Sequence, residues 1–250
     1  MSRITQRAAT GGLSLVANGA FQTSTDSSLA SLVGTRWDLS DGREVTLVKN
    51  GATALAAGVL VQDAPIVANH QNIAVTAYQA YSANGNVPAK VTVTLGATAA
   101  TANQYAGGFV VVNDANGEGQ TLRIASHPAA DASGSLVITL EEGATVALTT
   151  SSEVCLIPPH GKDVVINPTT VTGAQVGVTL YAIPASAYGF VVSRGVTSCL
   201  AQGAIGVGLG ISASGSVAGA VAVSAATTAR LGFASQAGVD TEYRAVYVNI

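Results

Sequence analysis

Hydrophobic and polar positions alternate with a period of two along most of the chain, the spacing of a half-buried strand. The segment AKVTVTLGA carries this pattern most cleanly: Val91, Val93 and Leu95 share one face, and Thr92 and Thr94 the other. REVTLVKNG alternates in the same way and runs into Asn50-Gly51, a dipeptide that favours a hairpin turn. VLVQDAP, NIAVTAY, GGFVVVNDANGEG, QTLRIASH, GSLVITLEEG and SEVCLIPP read as further strands, separated by Gly, Asn and Pro. After Pro158-Pro159 the series resumes with DVVINP, QVGVTLYAI, GFVVSRG, TSCLAQG, IGVGLGIS, GSVAGAVAVS, ARLGFAS and YRAVYVNI. ASLVG and TALAAG each fit one helical turn, but no sustained 3.6-residue period with caps occurs. The expected fold class is all-β, a short-stranded β-sandwich or barrel body or bodies.

Residues 1–35 break the pattern. No charge stands between Arg7 and Asp26, and Gly, Ser, Thr and Ala dominate, which predicts an extended N-terminal arm. Residues 36–160 are expected to form a β-rich domain that ends at the proline pair. Residues 161–250 are expected to be a second β-rich domain or a continuation of the same body.

Composition narrows the function classes. Of the 250 residues 48% are hydrophobic, largely Ala and Val, while only 10% are charged, against about 25% in an average protein. The net charge of −3 gives no basic excess, so no nucleic-acid partner is expected. No apolar run is long enough for a membrane span, and none near Met1 reads as a secretory signal. A surface so poor in charge suits a protein that works packed against others, because interface cores are depleted in charge. Cys155 and Cys199 each lie in an apolar stretch and are expected as buried thiols.

The candidate chemistry is thin. Asp114, Asn116 and Glu118 occupy positions 1, 3 and 5 of an EF-hand-like run, but position 12 is Ala125 and the flanks read as strands. These three residues remain a weak metal candidate, and Asn116-Gly117 with Gly119 reads better as a hairpin tip. His70, His127 and His160 lack metal-ligand spacing and are expected to be structural or at the surface. Glu141 and Glu142 are adjacent, so on a strand they face opposite ways and form no acid/base dyad. GAIGVGLG lacks the Lys-Ser/Thr ending of a phosphate loop and reads as a glycine-rich strand. No G-x-S-x-G elbow stands between a strand and a helix. No catalytic residue and no cofactor is expected. Arg43, Arg123, Arg194, Arg230 and Arg244 lie in or beside strands, and an arginine on a low-charge surface is a candidate intersubunit anchor.

GTRWDLSDGREVTLVKNGATALAAGVLVQ resembles the N-terminal region of decoration (cement) proteins on the heads of tailed bacteriophages. The matching positions are Gly42, Arg43, Gly51, Leu55, Gly58, Leu60 and Gln62. TANQYAGGFVVVNDANGEGQTLRIASHPAADASGSLVITL is similar to a second segment of that family at Tyr105, Gly108, Gly117, Gly119, Ile124 and His127, and AYGFVVSRGVTSCLAQGAIGVG to a third. The resemblance implies a non-enzymatic virion structural protein on the capsid exterior, made in the host cytoplasm. Its partners would be the major capsid protein and further copies of itself, a trimer being favoured, with no nucleic acid and no membrane. Arg3, Arg7, Phe21, Trp37 and Arg43 are then the candidate capsid or intersubunit contacts. The alternatives are a phage tail, baseplate or fibre component, a surface carbohydrate-binding module, and a polysaccharide-cleaving enzyme.

Overall fold

The computed structural model describes residues 22–250, together with the backbone of Val16–Ala17 and Ala20–Phe21. Arg3 and Arg7 lie outside the described residues, as does the side chain of Phe21. The chain is all-β and divides into two compact units. Unit 1 is Met1–Pro65 with His160–Ile250, and unit 2 is Ile66–Pro159. One boundary falls at the proline pair. The other falls after Pro65 rather than near residue 35, so unit 2 is an insertion and residues 161–250 continue the body that residues 22–65 begin.

In chain order unit 1 opens with β1 (Val16–Ala17), β2 (Ala20–Phe21), a 3-10 helix (Ser27–Leu32), β3 (Arg36–Asp38), β4 (Glu44–Lys49) and β5 (Leu60–Gln62). Unit 2 holds β6 (Ile73–Gln79), β7 (Lys90–Thr94), β8 (Phe109–Asp114), β9 (Thr121–Ser126), β10 (Ser135–Leu140) and β11 (Glu153–Ile157). Unit 1 resumes with β12 (Val165–Ile166), β13 (Gln175–Thr179), β14 (Tyr188–Leu200), β15 (Gly210–Ala213), β16 (Val221–Val223), β17 (Gly232–Ala234) and β18 (Tyr243–Asn249).

The unit 1 sheet runs β12-β5-β13-β14-β18-β17-β15-β16, with β4 also paired to β14 and β3 to β4. The first half of β14 is buried on both faces. Phe190 and Val192 enter one core with Trp37, Leu47 and Leu60. Val191 enters another with Val48, Val61 and Ile183. A strand buried on both faces reads as a continuous apolar run, and GFVV is that run.

The segment expected to be an extended arm is partly folded onto this sheet. The Asp26 carboxylate accepts from the Ser28 amide at 2.9 Å and caps the 3-10 helix. Leu29 of that helix is buried in the Trp37 core, and Ser24 bridges backbone to backbone with Tyr188. Trp37 is itself 4% exposed and packs edge-on against Phe190, with ring centroids 5.4 Å apart. It belongs to the core, which corrects its candidacy as a contact anchor. Asn50-Gly51 is no hairpin either. Buried Asn50 donates from its amide to the carbonyls of Thr53, Ile183 and Pro184, so it ties a loop instead of turning a ribbon.

Unit 2 is a closed six-stranded barrel in the order β10-β7-β6-β11-β8-β9. Closure removes the sheet edges. Val91, Val93, Val110, Ile124, Leu136, Ile138 and Leu156 fill the interior. A polar network is buried with them. His70 places Nε2 2.9 Å from the Thr98 carbonyl and Nδ1 2.5 Å from the Tyr105 hydroxyl. His127 places Nδ1 2.8 Å from the Pro128 carbonyl, and its Nε2 accepts from the Tyr105 amide at 3.0 Å. A carbonyl only accepts, so each ring holds a proton on the nitrogen that faces it and accepts on the other. Tyr105 and His127, two of the resemblance positions, thus meet in one buried network. At a third, Gly108, a Cβ would fall 2.2 Å from the Ile157 carbonyl oxygen.

Burial pushes the Tyr105 hydroxyl up to about 12 from its usual 10.0. A raised folded value means the stability is complete below the unfolded value, near 10, and is lost as pH rises through about 12. Alkaline titration followed by circular dichroism should show unfolding in that window. Tyr105→Phe should cost about 1–3 kcal/mol at neutral pH, since it strands His70 Nδ1 without its donor, and should reduce the alkaline loss. Thermal melts of the two chains check the first outcome.

Candidate interaction surface

Past Arg194 the second half of β14 changes character. Cys199, Val246 and Val248 turn inward to the core, while Arg194, Val196 and Ser198 alternate outward. Registration extends this outer row across four strands. Val196 pairs with Tyr247, Tyr247 with Phe233, and Phe233 with Gly210. Val196 is 50% exposed, Phe233 45% and Tyr243 53%.

This open face is a trough made of three adjoining hollows. The largest, about 870 Å³, is lined by Ala56, Ala57, Leu180, Val196, Tyr243 and Ala245, among others. A second, about 270 Å³, shares Arg43 and Val196 with the first and adds Asp41, Gly195 and Tyr247. A third, about 360 Å³, shares Tyr247 and adds Arg194, Arg230, Phe233 and Asn249.

Glycines shape the trough. A Cβ on Gly58 would meet the Tyr243 ring at 2.8 Å, one on Gly195 the Arg43 side chain at 2.9 Å, and one on Gly210 the Arg230 guanidinium at 2.5 Å. Each long side chain therefore lies flat on bare backbone. Gly58 and Gly195 also have positive φ, +69° and +108°, a region that favours glycine. GAIGVGLG and SRG carried this signal in the sequence, although it could not say which side chain each glycine admits.

The electrostatics are spare. Arg43 grips Asp41 through Nε at 2.9 Å and Nη2 at 2.6 Å. That hydrogen bond holds the Asp41 carboxyl below the usual carboxylate range, so Asp41 stays ionised at neutral pH and is a poor general acid. The Tyr247 side chain beside Arg194 raises the guanidinium's already high value further. Among the described lining residues no histidine or thiol, and no carboxylate other than Asp41, faces the trough. Apolar surface edged by arginines is chemistry for binding.

Of the sequence candidates, Arg43 and Arg244 both line the first hollow, Arg244 buried and donating to the carbonyls of Ile205 and Val239. Arg123 is exposed and pairs with Glu141 at 3.2 Å. Asp114 ends β8, where its Oδ1 accepts from the Ala115 amide. The Asn116 amide donates to the Ala147 carbonyl, while Glu118 is exposed. Ala115, Gly117 and Gly119 all have positive φ, as a tight hairpin tip needs. No cluster of three or more His, Cys, Asp or Glu occurs among the described residues. His160 in unit 1 faces Asp63, Nδ1 to Oδ2 at 2.9 Å, and Asp63 Oδ1 accepts from the Gly161 amide at 2.7 Å.

In comparisons with known proteins, no family model, no curated protein and no solved structure matches the chain.

The thiols provide a check on which face of β14 is open. Cys199 is fully buried and burial pushes it up to about 12, whereas Cys155 on β11 is partly exposed. Iodoacetamide on the native protein should label Cys155 only, and Cys199 should react only after unfolding. Peptide mass spectrometry reads both.

Proposed function

We propose that the protein is a non-enzymatic structural component that binds the outer surface of an assembled phage capsid and stabilises it. The observation that carries this reading is the open apolar trough on unit 1, in a chain with only 10% charged residues. A protein meant to stay free in solution keeps such a face small or charged. The sequence resemblance to decoration proteins supports the same conclusion, and so does the all-β architecture.

The physical mechanism is linkage. A ligand that binds the assembled shell, but not its separated subunits, stabilises the shell by mass action. Apolar contact in the trough provides binding free energy, and the arginines along it fix register. Repetition over a lattice multiplies weak single contacts.

Two measurements test the proposal. Quantitative mass spectrometry of purified virions should give a copy number of the same order as the major capsid protein. A far smaller number assigns the chain to the tail or a vertex, and absence from the virion ends the structural reading. Val196→Glu puts a charge at the centre of the trough and should weaken shell binding about tenfold or more in co-sedimentation, the scale of a central contact residue, while thermal melting stays unchanged.

A further inference from the structure

The hollow formed by Arg194, Arg230, Phe233, Tyr247 and Asn249 differs from the rest of the trough. It contains two guanidinium groups and one side-chain amide, and no carboxylate is among its described lining residues. Phe233 and Tyr247 stack there with centroids 5.0 Å apart and planes 4° from parallel.

Glu44 and Asp38 act on Arg194 through their field, but neither forms an ion pair with it or lines the hollow. The Glu44 carboxylate is engaged by Arg36 at 3.0 Å and lies within reach of the Ser193 hydroxyl. Arg194 lies beside Tyr247 in the hollow. Arg230 forms no ion pair among the described residues and is laid across Gly210. In a protein of net charge −3, two arginines that form no ion pair among the described residues converge on one small aromatic pocket. A guanidinium fork matches a carboxylate edge to edge, and an aromatic wall accepts the apolar part of whatever bears it. The volume, about 360 Å³, suits one or two side chains.

We propose that this hollow is a carboxylate site that takes an aspartate or glutamate side chain, flanked by an apolar residue, from the protein segment that covers the trough. The inference rests on the trough being a protein-docking face, and names the chemistry of the partner at one end of it.

The test uses the full chain and two peptides, acetyl-Phe-Glu-Leu-amide and its glutamine analogue, in heteronuclear NMR titrations. The glutamate peptide should give saturable shifts at the Arg194 and Arg230 Nε–H signals and at Phe233. The glutamine peptide should bind about tenfold more weakly, the difference expected for loss of a charge-assisted fork. Arg194→Gln with Arg230→Gln should remove the response. Arg194→Lys, which keeps the charge without the fork, should restore only part of it. Arg123→Gln, on unit 2, should leave it intact. Equal response to both peptides, no saturable response to either, or a response to glucuronate but not to the glutamate peptide overturns the site. Shell co-sedimentation of the double arginine variant separates the two readings. Undiminished binding there removes the carboxylate site and leaves the decoration role standing.

Discussion

The thirteen residues of β14 are the constraint on which unit 1 depends. Arg194 stands at the crossing, its backbone paired with Glu44 on one edge and with Asn249 on the other. Before it the strand is hydrogen-bonded to β4 and β13, and after it to β18. Residues from both segments of the unit therefore share one backbone ladder. Unpaired backbone groups inside a protein are costly, so a break in β14 would expose groups on several neighbours at once. The same strand passes from a position between two cores to a position over one core. The open trough exists because no described residue of unit 1 covers the outward residues of that second half.

The trough also shows how a surface can be wide, flat and poor in charge. Tyr243, Arg43 and Arg230 lie down instead of standing up, each over a glycine that leaves the space. An arginine held this way spreads its planar group over apolar surface while its donors remain available at the edge. Gly195 and Gly58 combine this role with backbone conformations other residues adopt only under strain.

Much of the fold was legible in the residues. Alternation in AKVTVTLGA, QTLRIASH and GSLVITLEEG located β7, β9 and β10, because each has one face in the barrel interior and one outside. ASLVG overlaps the end of the capped 3-10 helix, which stops at Leu32. The insertion was not legible. The proline pair marks the chain's return to unit 1 after Pro159, but the departure after the single Pro65 is a weaker signal, since either segment of unit 1 reads locally as ordinary strand. Asn50-Gly51 misled because burial and three carbonyl acceptors outweigh its turn preference. Arg43 was found from a motif. Phe233, Tyr247 and Arg230 were not singled out together, because only strand register across β15, β17 and β18 brings them to one place.

The order of the segments has a consequence for biosynthesis. Every strand of the inserted barrel has been translated once Pro159 emerges from the ribosome, so that barrel can close early. The sheet of the other unit has to wait for β13, β14 and β18, translated after the whole barrel. Until then β4 has only β3 beside it and β5 has no partner strand, and Leu47, Val48, Leu60 and Val61 lack the cores that later bury them. At high expression this nascent interval, rather than the finished molecule, is where chaperones and crowding act on the chain.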